Sequence, residues 1–323
     1  MREEVIFSAL NEDGDNIRGI VSVPENASSV RGVLILGAGV NPRQSWHGLS
    51  VKIARLLADV GFYALRIDPR GVGDSDGEIE DIDFQQLEGL HDKVQTGLFT
   101  TDCLVAMDEF RKLYHLNEVY IIGLCGGALT GLYLVELSPD IKGLIYIAGP
   151  VTLTTLDVSM PVHPAYAKNL FTAYMKKALN PIAWIRFISG KSEYKTILFL
   201  IKHKLYKLLG KEKSILDTYA QPNSFPTTDN GLKGDHLNPM IPKAFMNYMN
   251  HGGKVYFINA ELDPAAWGFY NLFAPSYLER RKYYKGQYDI GMVKNSNHTF
   301  SSLENQKELM SLISKWIIKA VST

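Results

Sequence analysis

A cysteine, an aspartate and a histidine, far apart in the chain and in that order, are the residues that could do chemistry together. Cys125 stands in Gly123-Leu124-Cys125-Gly126-Gly127, between the apolar run Val119 to Ile122 and a stretch rich in Ala, Leu and Tyr. Strand, glycine-flanked cysteine and helix form the tight turn that presents a nucleophile at the start of a helix. So sharp a turn needs small neighbours, and Gly123, Gly126 and Gly127 supply them. Unpaired N–H groups and the helix dipole at that position favour a thiolate. Two plainer readings compete. A free cysteine is often a small buried hydrophobe. A glycine pair after a strand can be a phosphate-binding turn, although the G-x-G-x-x-G spacing and the Walker lysine of such turns are absent.

A nucleophile needs a base, and the base needs an orienter. The chain has eight histidines. Only His298 directly follows a late apolar strand, Tyr288 to Val293, in a polar loop before the last helix. Loops of this kind converge at the carboxyl ends of parallel strands. His91 and His115 lie in or beside helical sequence and read as surface residues. Asp263 follows the previous strand, Val255 to Ile258, in a turn with Pro264. Glu261, two residues nearer that strand, is the rival acid. The order Cys125, Asp263, His298 is nucleophile, acid, base. The Gly126 N–H would be one oxyanion donor, and Ala38 or Gly39, in the loop after the strand Gly32 to Leu36, the second.

The elements that must position these residues alternate. Val5 to Ala9 and Ile17 to Val23 read as a hairpin at a sheet edge. Gly32 to Leu36, Phe62 to Ile67, Val119 to Ile122 and Ile141 to Ile147 are continuous apolar runs, as expected of interior parallel strands. Leu49 to Val60, the sequence before Tyr114 and Leu303 to Ala320 have helical apolar spacing. Asp68-Pro69-Arg70-Gly71-Val72-Gly73-Asp74-Ser75 reads as a structural turn in which Asp68 and Arg70 pin neighbouring loops. The alternation stops at Val151 and resumes after Asn250. The expected organisation is an α/β core, residues 1–150 and 251–323, with helices on both faces of a mostly parallel sheet. Residues 151–250 would form a mainly helical cap inserted over its carboxyl edge.

Composition limits the function. The 323 residues are 46% hydrophobic and 21% charged, enough for a large core, and the formal charge is zero. Neutrality argues against a general nucleic-acid binder. Two cysteines make no disulfide framework, the amino terminus starts in a strand-like pattern, and the apolar runs are shorter than a membrane span. The expectation is a cytoplasmic protein with no integral membrane segment. No metal-ligand spacing and no cofactor motif is readable, and the oligomeric state is not.

With these residues in place the sequence resembles the α/β-hydrolase superfamily over nearly its full length. It is most similar to the capped serine-aminopeptidase-like and exosortase-associated hydrolases. Gly37 to Val40 stands where that group has a His-Gly oxyanion loop, Asp68 to Ser75 resembles its D-x-R-G-x-G-x-S segment, and Asp263 and His298-Thr299-Phe300 match its acid and histidine motifs. Two departures matter: the first loop lacks the His, and the nucleophile is Cys. The G-x-C-x-G turn also resembles that of polyhydroxyalkanoate synthases, and dienelactone hydrolases use Cys in this fold.

The resemblance and the residues together lead to a Cys-dependent enzyme that cleaves an ester or thioester through an acyl-thioester intermediate. Passing the acyl group from a coenzyme A or carrier-protein thioester to a non-water acceptor is the alternative, and a catalytically inactive binding protein with this fold is the other. Residues 151–250 hold thirteen Lys and Arg against six Asp and Glu. Leu198, Ile201, Leu205 and Leu209 fall near one helical face. That segment reads as a helix packed on the core, as an apolar lid with a basic mouth, or as a membrane-surface helix.

Overall fold

Short β-branched and aliphatic runs become interior strands here because both of their faces are covered. The computed structural model describes residues 4–25, 29–79, 90, 93–152, 237–279 and 284–321. Eight strands form one sheet: β1 (Glu4–Leu10), β2 (Asn16–Ser22), β3 (Arg31–Leu36), β4 (Tyr63–Ile67), β5 (Glu118–Leu124), β6 (Gly143–Ile147), β7 (Val255–Ala260) and β8 (Tyr288–Val293). Their order is β1-β2-β4-β3-β5-β6-β7-β8. The β1–β2 hairpin is antiparallel to its neighbours, and every pair from β4 to β8 is parallel. In the central register Leu34 faces both Leu65 and Ile121.

Side-chain alternation along the strands sorts the core into two layers. On one face Leu34, Leu36, Leu65, Ile121 and Phe257 pack with α2 (Thr100–Tyr114), α3 (Gly126–Leu137) and α4 (Met240–Asn250). On the other Val33, Ile35, Ile122, Ile145 and Ile258 pack with α1 (Leu49–Asp59) and the last helix, Leu303–Val321. The last helix buries Leu309, Ile313, Trp316 and Ile317, the spacing of one helical face. Each fully buried Leu or Ile contributes about 1.5–3 kcal/mol as an upper bound.

The chain divides into a sheet-bearing unit, Met1–Ser159 with His236–Thr323, and a second unit, Met160–Asp235. The second unit lies outside the described residues, and so do residues 153–236 of the expected helical cap. The expected boundary at residue 250 is displaced, because α4 belongs to the sheet-bearing unit. Its Ile241, Ala244, Phe245, Tyr248 and Met249 are buried in the core, and the Tyr248 hydroxyl donates to the Ile141 carbonyl at 2.8 Å. Thr152 and Leu237 form an antiparallel bridge, so the chain leaves and re-enters this unit side by side. Between β7 and β8 the sequence reading has no element, yet the structure has α5 (Pro264–Gly268) followed by a widened helical segment, Phe269–Glu279, containing Pro275. A proline and a wide helix both blur the 3.6-residue period that would reveal it.

Candidate active site

The turn at Cys125 follows from its neighbours. The Cys125 backbone has φ 50° and ψ −117°, a left-handed strain that non-glycine residues rarely bear. It is held because the Cys125 N–H donates to the Ile147 carbonyl at 2.9 Å and its own carbonyl accepts from Ala128 at 3.0 Å. A Cβ at Gly123 would overlap the backbone of Gly127 and Ala128, and one at Gly127 the backbone of Leu36 and Gly37. The glycines are therefore dictated by strand and helix packing. Cys125 is half-buried, whereas Cys103 is wholly buried on α2. Burial, helped by the charge of Asp102, pushes the Cys103 thiol far above its ordinary range. Of the two cysteines, Cys125 is the more accessible.

Asp263 caps α5. Its Oδ1 accepts from the Ala265 N–H at 3.0 Å, and its Oδ2 accepts from His298 Nδ1 at 2.7 Å. Asp263 is 4% exposed, so its two oxygens are committed to these donors. A carboxylate on Nδ1 fixes the tautomer and leaves Nε2 for the other side of the ring. The Cys125 side chain lies there, in hydrogen-bonding reach of the imidazole. Burial works against charge on this ring, but the hydrogen bonds and negative charges of Asp263 and Cys125 outweigh it, and His298 is pushed up to about 10. Asp263 and Cys125 together therefore favour the protonated ring. The three residues expected from the sequence thus meet at the carboxyl ends of β5, β7 and β8.

The rival acid, Glu261, is used elsewhere. Its carboxylate accepts from Lys294 Nζ at 3.1 Å and from the Asn295 N–H at 2.8 Å, bracing the loop that carries His298. That loop is also tied to the last helix: Asn305 Nδ2 donates to the Lys294 carbonyl and Gln306 Nε2 to the Phe300 carbonyl, both at 2.9 Å. Phe300 is fully buried and anchors its end.

Gly126, the first residue of α3, has a free helix-start N–H. A Cβ there would lie 3.0 Å from Gly39 Cα, 3.1 Å from Gly39 N and 2.8 Å from Val94 Cγ1. The β3 loop is thus pressed against the turn. Among the described residues the N–H groups of Ala38 and Gly39 have no hydrogen-bond partner. Either could turn toward an oxyanion beside Gly126.

The Asp68 turn is the clamp the sequence suggests, and it reaches further. Asp68 is fully buried and accepts from the Arg43 guanidinium, the Arg43 N–H and the Asp74 N–H. Arg70 forks onto Asp102 at 2.8–3.0 Å. Arg43 belongs to the loop running from the oxyanion candidates to Trp46, whose indole meets the His298 ring with centroids 5.1 Å apart. Trp46, Arg43 and Val94 carry no signal in the sequence, because their roles rest on contacts between distant loops. Beneath this loop Leu36, Gly37, Gly39, Cys103, Gly127 and Thr130 help line a cavity of about 20 Å³, room for about one water. Among the described residues no three His, Cys, Asp or Glu side chains gather as a metal cage, and no helix is long and apolar enough to cross a membrane.

A sequence model for the alpha/beta hydrolase fold matches residues 33–173. The fold is that of the α/β-hydrolases. Solved structures share that fold. The chain is similar to the Pyrococcus furiosus esterase Pf2001 at 13% identity and a TM-score of 0.56, covering 98% of this chain and 91% of that one. It is similar to Est1E of Butyrivibrio proteoclasticus, solved with ferulic acid bound, at 16% identity and 0.52, covering 98% and 99%. It is similar also to DcsB in complex with a substrate analogue, at 13% and 0.53, covering 99% and 100%. At these identities the likeness is one of fold. No curated protein matches the sequence. In the α/β-hydrolase fold the carboxyl edge of the sheet is where Cys125, Asp263 and His298 stand.

Proposed function

We propose that the protein is a Cys-dependent hydrolase of esters or thioesters working through a covalent acyl-enzyme. One observation carries this reading: a half-buried cysteine on a strained strand-to-helix turn, in hydrogen-bonding reach of a histidine whose other nitrogen is held by a buried aspartate at 2.7 Å. The Cys125 thiolate forms a bond to the acyl carbon, and the carbonyl electron pair moves onto oxygen. The Gly126 N–H receives that oxyanion, with Ala38 or Gly39 as second donor. The oxyanion collapses, the bond to the alcohol or thiol breaks, and His298 Nε2 gives its proton to the leaving group. Neutral His298 then takes a proton from water as the water attacks the thioester, and Cys125 leaves as thiolate. Asp263 keeps the ring in one tautomer and balances its charge throughout. The basic, apolar composition of residues 151–250 supports a fatty or partly anionic acyl substrate, such as a coenzyme A or carrier-protein thioester.

The test is intact mass spectrometry after exposure to activated esters and acyl thioesters. An acyl adduct or turnover should vanish in Cys125→Ala and persist in Cys103→Ala. Equal behaviour of the two variants refutes the assignment. Offering alcohols, amines and thiols beside water reads the acceptor: free acid supports hydrolysis, and preferential conjugate formation makes the protein an acyltransferase.

A further inference from the structure

Trp46 lies in a short 3₁₀ turn, Trp46–Gly48, that its own backbone does not favour. Ser45 and His47 on either side have φ of 56° and 55°, left-handed values without glycine's freedom. Such strain persists only where the surroundings over-determine it. Here they do. Arg43, three residues earlier, is locked onto buried Asp68 and onto Asp74. The Ser45 N–H donates to the Pro42 carbonyl at 2.8 Å, and the Ser50 N–H to the Gln44 carbonyl at 3.2 Å. The loop is strained and tied on both sides, and what it delivers is one indole against one imidazole. The ring centroids are 5.1 Å apart and the planes meet at 64°, an edge-to-face contact. That separation lies within the ~6 Å over which an aromatic face attracts a cation.

We infer that Trp46 is a positioning residue for His298: its indole holds the imidazole between Asp263 and Cys125 and stabilises the ring's protonated form. The inference rests on the Cys125–His298 reading above for its purpose, but not for its geometry. Titratable groups lie on the elements around the ring. Asp263 and Cys125 face it directly from α5 and the β5 turn. Lys294, on its own loop, is paired with Glu261 at 3.1 Å. His47, in the Trp46 turn, is exposed. An uncharged π face in this setting opposes proton loss without competing for either ring nitrogen. That is a role a fourth charged group could not fill without disturbing the tautomer.

A protonated imidazole in contact with an indole quenches its fluorescence, so the contact can be read directly. The emission difference between wild type and Trp46→Phe should rise with pH as His298 loses its proton. That rise should disappear in His298→Gln and survive in His47→Gln. In parallel, the His298 resonance followed by NMR should show its alkaline midpoint fall by about half a pH unit in Trp46→Leu, and by less in Trp46→Phe, which keeps a π face. A merely structural tryptophan would lower the melting temperature and leave the midpoint in place. An unmoved midpoint in folded Trp46→Leu, or a Trp46 emission change that persists in His298→Gln, overturns the inference. Should Trp46→Leu fail to fold, the wild-type fluorescence and Trp46→Phe decide it. Turnover that survives Cys125→Ala would refute the acyl-enzyme while the Trp46–His298 titration remained, so the two failures are distinct.

Discussion

Asp68 and Asp263 are both buried aspartates at the carboxyl ends of parallel strands, yet their partners give them opposite work. Asp68, just past β4, is bound to the guanidinium of Arg43 and to two backbone N–H groups. Arginine does not give up its proton in proteins, so that pair is fixed in charge and acts as a clamp. Asp263, past β7, is bound to an imidazole, the one side chain whose proton moves in the range where enzymes work. The same carboxylate in the same sort of place thus builds structure in one loop and holds a titratable ring in another. What separates the two is whether the partner can exchange a proton.

Substituting each aspartate should divide the two roles. Asp263→Asn keeps a side-chain oxygen for the Ala265 N–H but loses the charge and the acceptor that fixes the His298 tautomer. Acylation of Cys125 should fall by roughly 10⁴-fold with little change in melting temperature, as read by stopped-flow acylation and thermal unfolding. A large loss of stability with reactivity intact would reverse the comparison.

Asp68→Asn should do the reverse. Arg43 keeps Asp74, so the cost should be about 3 kcal/mol, the low end for breaking a buried pair, measured by denaturant unfolding. Residual folded enzyme should acylate within a few-fold of wild type.

The pH dependence of stability sharpens the contrast. His298 in the folded protein is pushed up to about 10, against an ordinary value of 6.5. A group raised on folding contributes stability that is complete below its unfolded value and is lost as pH rises through its folded value. Stability should therefore decline from near pH 6.5 toward about pH 10, and His298→Gln should flatten that decline. Chemical denaturation at several pH values checks this.

Glu261→Gln should have the smallest effect. Its ion pair with Lys294 is partly exposed, so the loss should be at most about 1 kcal/mol, with a modest fall in acylation rate as the His298 loop loosens. A collapse of activity as deep as that of Asp263→Asn would make Glu261 the acid and undo the assignment.

The sequence by itself determined the strands, the placing of Cys125, Asp263 and His298 after successive strands, and the turn at Cys125. Those features are local: an apolar run buried on both faces, glycines where a Cβ would meet backbone, and polar loops after strands. Tertiary structure alone decided five things. It chose Asp263 over Glu261, because two carboxylates two residues apart differ only in which donors the neighbouring loop brings. It set Gly39 against Gly126, and it let Arg43 grip Asp68. It placed Trp46 on His298, where nothing in the residues near Trp46 hints at an imidazole about 250 positions away. It also drew α4 into the core, since an amphipathic helix shows which face it buries but not against what. Periodicity reports a residue's own element and face, whereas contacts between loops depend on how the whole sheet brings its strand ends together.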